Sequence, residues 1–156
     1  MTDEQKQDFT LRISQANKSA MVVILYDIFL TYAKEAEAAS PAESSFHISI
    51  SKARGALSEL IDSLHLDYEI AQSTYQLYRF VERELIRADI RRSVEPIPAV
   101  IRIMQCLRDA YAEAAKTDTS GPLMKNTDVV YAGMTYGKHD VMTGSSAAGT
   151  NRGYLV

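Results

Sequence analysis

Between Ala20 and Ala33 the chain reads AMVVILYDIFLTYA, an apolar run interrupted only by Asp27 and Thr31. Wound as a helix at 100° per residue, it is apolar over most of its circumference. Asp27, Thr31 and Lys34 fall on one narrow side, while Met21, Val22, Leu25, Tyr26, Ile28, Phe29, Leu30 and Tyr32 cover most of the rest. Facing one core takes roughly 100° of apolar stripe, so this helix carries about twice that. The surplus predicts that something other than the helix's own bundle uses it.

The run is too short to span a bilayer and contains Asp27. Met1 to Ala16 is polar and acidic, without the cationic start and apolar centre of a signal peptide. Both observations predict a cytoplasmic protein with no stable membrane insertion. A net charge of -3 over 156 residues supplies no basic excess for nucleic acid. The length suits one domain with a sizeable core. Cys106 is the only cysteine, so no intramolecular disulfide forms, and its place in an apolar helical pattern predicts a buried, inert thiol.

Around the central run the chain divides into an N-terminal arm (1–16), a helical domain (17–116) and a tail (117–156). The arm places Phe9, Leu11 and Ile13 on alternate positions and is expected to be extended or loosely helical. Asn17 is a candidate N-cap for a first long helix reaching about Ala39, ahead of Ser40-Pro41. Ser44 or Ser45 is expected to cap a second helix with the stripe Ile50, Ala53, Leu57, Leu60, Ile61 and Leu64, ending near His65. After a turn at Leu66-Asp67, a third helix from Tyr68 to Arg92 is expected to bury Ile70, Leu77, Val81, Leu85 and Ala88. Pro96 and Pro98 then open a fourth, striped by Val100, Ile103, Met104, Leu107 and Tyr111. Four helices on short connections predict an all-α fold, an antiparallel up-down four-helix bundle.

The tail holds six of the seven glycines and no long periodic stripe, so it is expected to be irregular. Its scattered Tyr, Val and Met residues leave two readings, a plain appendage or an internal stand-in for a partner.

Catalytic and metal patterns are missing. The histidines at 47, 65 and 139 belong to no H-x-x-x-H or C-x-x-C pattern, and Asp62-x-x-His65 is a single copy of an element that bundle metal sites use in pairs. There is no G-x-S-x-G, phosphate loop or G-x-G-x-x-G. The sequence therefore predicts no enzyme, no metal and no cofactor. Arg79, Arg83, Arg87 and Arg91 recur every four residues on the third helix, either as a basic rail or as a solvated face balanced by Glu82, Glu84 and Asp89.

These residues resemble the flagellar export chaperones of the FliS family. The matching pieces lie in order: Ala16-Asn17 at the helix start, Leu25-Tyr26-Asp27, Lys52-Ala53 with Glu59-Leu60, Leu66-Asp67-Tyr68-Glu69, Leu77-Tyr78-Arg79-Phe80, and Leu107-Arg108-Asp109-Ala110-Tyr111. They span about Phe9 to Lys116. Lys18-Ser19-Ala20 replaces the family's Pro-x-Glu, and Asp8 beside Phe9 stands where an N-terminal tyrosine is expected. The resemblance implies a non-enzymatic chaperone that binds the disordered C-terminal segment of flagellin. It would prevent premature polymerisation and deliver the client to the export gate, with a co-chaperone as a further candidate partner. An apolar groove suits a client that folds as helices on binding. Met21, Leu25, Tyr26, Ile28, Phe29 and Tyr32, with Tyr75 and Tyr78, are the expected contacts, and Phe9 and Ile13 are expected to cover part of the groove when the client is absent. The alternative is a structural bundle that spends its surplus stripe on homodimerisation.

Overall fold

The computed structural model describes residues 1–65 and 69–124. Five helices follow one another within one compact unit, Met1–Lys125: α1 (Asp3–Gln15), α2 (Lys18–Ala38), α3 (Ser44–Asp62), α4 (Glu69–Arg91) and α5 (Ile97–Ala115). No strand occurs among the described residues. The helix α2 packs on α3 and α5, α4 packs on the same two, and α1 lies on α2. The expected turn at Leu66-Asp67 and the tail from Lys125 onward lie outside the described residues.

The arm differs from its expected form. Residues 3–15 are a regular helix, closed at its start by a capping box. Thr2 Oγ1 accepts from the Gln5 amide at 3.2 Å, and Gln5 Oε1 accepts from the Thr2 amide at 2.8 Å. Phe9 and Ile13, read as alternating, are four apart and so share one helical face, whereas Leu11 points to solvent. The start of α2 follows expectation: Asn17 Oδ1 accepts from the Ala20 amide at 2.8 Å. The start of α3 does not. Glu43 is its N-cap with no side-chain bond, and the Ser45 hydroxyl donates to the Glu43 carboxylate at 3.2 Å instead of accepting from the backbone.

The core is built from α2 to α5. Tyr26, Phe29, Phe46, Ile50, Leu57 and Leu60 meet Tyr78, Val81, Leu85, Ile97, Val100 and Met104, all essentially without exposure. The stripe of α4 is the main correction. Ile70 and Leu77 are 79% and 40% exposed, and the buried face reads Ala71, Thr74, Tyr78, Val81, Leu85, Ala88. That set alternates steps of three and four without a break, whereas starting from the largest apolar side chains shifts its first half by one position. Thr74 joins it because its hydroxyl donates to the Ile70 carbonyl at 2.8 Å. Cys106 is also corrected. It is exposed, lying two residues and about 200° around α5 from buried Met104.

Arg92 terminates α4 with φ at 48°, the only positive φ of a described non-glycine residue. The Ser93 amide reaches back to the Ala88 carbonyl at 3.0 Å, a closure that ordinarily uses glycine. Arg92→Gly is therefore expected to stabilise the fold by about 0.5–1 kcal/mol. A urea unfolding midpoint that stays level or falls would contradict the assignment.

Candidate functional site

Every structural demand on α2 converges near Leu25-Tyr26-Asp27. Tyr26 points into the core, where its hydroxyl hydrogen-bonds the Tyr78 hydroxyl from α4. Its ring lies 6.2 Å from that of Tyr78 and 5.5 Å from that of Tyr111 on α5, centroid to centroid, both tilted. Burial pushes both Tyr26 and Tyr78 above the usual tyrosine range, so the pair stays neutral.

Asp27 leaves the core on the opposite tack. Its Oδ1 accepts from Arg108 Nε of α5 at 2.9 Å, and its Oδ2 accepts from Arg12 of α1. The narrow polar side of α2 is thus the seam at which α1 and α5 are tied to it. The Arg12 guanidinium also lies 5.3 Å from the centroid of the Phe9 ring. A second tie joins the Met1 ammonium to Glu35, farther along α2.

Beneath α1 lies an apolar cluster separate from the core. Phe9, Ala16 and Ile24 are its buried members, and Met1, Ile13, Ala20, Met21 and Ile28 pack around them. No residue of α1 enters the main core. Of the residues singled out in the sequence, Phe9, Ile13, Met21 and Ile28 come together here. Leu25 and Tyr32 are half-buried against the main core, as Ile28 also is. Tyr26 and Phe29 are inside it and offer no surface in this conformation, and Tyr78 is buried there except where it borders a cleft at its edge. Tyr75 is half-buried on α4 and belongs to neither cluster. Sequence reasoning missed Ala20 and Ile24, although 20, 24 and 28 recur every four residues and mark a second stripe on α2. It also missed Arg12, whose partner lies on a different helix.

At one end of the bundle a cleft of about 220 Å³ opens between Val22, Leu64, His65, Ile70, Tyr78 and Tyr111. The arginines of α4 resolve toward the solvated reading. Arg79 pairs with Glu82 and Arg87 with Glu84, while Asp89 accepts from His47 Nδ1 at 2.8 Å. Four acids on α4 balance its four arginines and leave little net field. Among the described residues no group of His, Cys, Asp or Glu is placed to hold a metal ion, and no helix is long and apolar enough to cross a membrane.

The sequence profile of the flagellar protein FliS matches residues 1–118, about three quarters of the chain. The chain belongs to the FliS family. No curated protein gives a match. FliS proteins are flagellar chaperones, and the match takes in α1 as well as the four longer helices. Three of the pieces that carried the FliS resemblance, Leu25-Tyr26-Asp27, Leu77-Tyr78-Arg79-Phe80 and Leu107-Arg108-Asp109-Ala110-Tyr111, supply the Tyr26–Tyr78–Tyr111 cluster and the Asp27–Arg108 pair, so these motif positions hold helices together.

Because the two buried hydroxyls have each other as partners, Tyr26→Phe and Tyr78→Phe should each cost about 1–2 kcal/mol by stranding the other. The double variant should lose clearly less than the sum of the two. Additive losses in chemical denaturation would show that the two hydroxyls act independently.

Proposed function

We propose that this FliS-family protein is a cytoplasmic export chaperone that receives the disordered C-terminal segment of flagellin on the face of α2 that α1 covers. One observation carries this reading: α1 sits on its own apolar cluster and contributes nothing to the main core. Moving α1 aside exposes Ala20, Met21, Ile24 and Ile28 while leaving the bundle closed. A client segment that folds as an amphipathic helix can take the place of α1, with Phe9 and Ile13 as the side chains it replaces. Met21 and Ile28 are then direct contacts, Leu25 and Tyr32 line the edge, and Tyr75 is a flanking contact. Tyr26, Phe29 and Tyr78 act from below by fixing the pitch and position of α2. We further infer that α2 to α5 run antiparallel, up and down, because five to six residues link each pair.

Held this way, the flagellin segment cannot pair with other flagellins, and the complex remains competent for delivery to the export apparatus. Calorimetry of the full chain with a flagellin C-terminal peptide should give one-to-one binding, and circular dichroism should show helix gained on mixing. No heat and no added helix at micromolar concentrations would overturn the reading. A stable dimer by light scattering, unaffected by peptide, would favour homodimerisation. Phe9→Ala is expected to tighten peptide binding about tenfold, because it weakens the cover and raises the binding-competent fraction. Weaker binding would mean that α1 helps to grip the client.

A further inference from the structure

Two residues, Ala16 and Asn17, join α1 to α2, with Ala16 extended at φ -76°, ψ 137°. Turning of the peptide plane between them is one of the motions by which α1 can swing as a body, alongside rotation about the φ and ψ of Ala16. The polar groups around that plane are engaged by residues that follow α5. Asn17 caps α2 through its Oδ1, and its Nδ2 donates to the carbonyls of Asp118 and Ser120, both at 3.2 Å. The Ser19 hydroxyl donates to one oxygen of the Asp118 carboxylate. The other oxygen accepts from the Ser120 amide at 2.9 Å and the Ser120 hydroxyl at 2.6 Å. With the segment anchored on the first turn of α2, the Leu123 amide donates to the Ala16 carbonyl at 2.9 Å.

We propose that residues 117–123 form a strap that restricts the α1–α2 hinge, so that α1 leaves α2 more readily once the Leu123 amide releases the Ala16 carbonyl. The anchors are Asn17, the N-cap of α2, and Ser19 in its first turn, and the one remaining bond is on the hinge carbonyl of Ala16. The strap therefore resists rotation of α1 without sharing in the apolar contact between the helices. The family match ends at Asp118, so the anchoring carboxylate lies within it while Ser120 and Leu123 lie beyond it. Hydrogen bonds from Ser120 and Ser19 hold the Asp118 carboxyl down at about 2. The carboxylate contribution is thus complete above the ordinary value of 3.8, fades as pH falls through about 2, and does not vary near neutrality.

The consequence for client binding rests on the reading that α1 covers the client surface, and two measurements separate the claims. Hydrogen exchange over residues 3–15 of the full chain reports the lock. In Asp118→Ala/Leu123→Pro the α1 amides should exchange about tenfold faster, while those of α3 and α4 keep their protection. Leu123→Pro alone, which removes only the hinge bond, should accelerate α1 in the same direction and serves if the double variant does not fold. Unchanged α1 exchange in either folded variant overturns the strap. Affinity for the flagellin C-terminal peptide reports the cover, and it should rise about tenfold with faster α1 exchange. Faster exchange with unchanged affinity supports the strap and overturns the cover.

Discussion

A helix that is apolar on two sides must have both covered, and this requirement on α2 organises the structure. One side carries Tyr26, Phe29, Leu30 and Ala33 into the core shared with α3, α4 and α5. The other carries Ala20, Ile24 and Ile28, too few to build a core yet enough to need shelter from water. The two covers differ in kind. Interdigitated rings and a hydroxyl pair hold the first, so its removal would strand buried polar groups as well as open cavities. A single short amphipathic helix and two partly buried ion pairs supply the second.

Between these sides runs the seam at Asp27. A carboxylate in that position keeps two guanidinium groups along a line that would otherwise be continuous apolar surface. Arg108 ties the seam to a helix of the bundle and Arg12 ties it to α1, so one side chain registers both covers on α2. These charged hydrogen bonds are directional and only partly buried, which would suit a contact that forms and breaks as proposed. The apolar residues set how strongly α1 is held, and Asp27 helps set where.

Much of this was legible in the sequence, and what escaped has a physical pattern. The over-apolar run, the Asn17 cap, the proline-opened last helix and the six family motif pieces were readable because each rests on local chemistry. The first half of the α4 stripe was misread because Ile70 and Leu77 look more like core than Ala71 and Thr74. Size misled there, since the small Ala71 and Thr74 are buried while the larger Ile70 and Leu77 are not. The helical state of α1 was hidden because three apolar residues in thirteen can be read with period two or period four, and only the Thr2–Gln5 box decides. The Asp27–Arg12 and Leu123–Ala16 contacts join residues far apart in sequence, and no local pattern announces them.

The second cover also has a suitable strength for exchange. Thirteen residues make a helix that is marginal in isolation, even with a capping box. What holds it is the partial burial of Phe9, Ile13 and Met1, each worth about 1–3 kcal/mol at most, offset by the entropy of ordering the segment. The balance leaves α1 docked by only a few kcal/mol. A cover of that strength lowers a partner's apparent affinity in proportion to the open fraction, and a tighter one would exclude the partner. The bundle could not serve in this way, because its core would have to unfold to expose comparable surface. On the proposed reading, placing the removable contact on a satellite cluster would let α2 serve as both the centre of a stable domain and a surface for exchange.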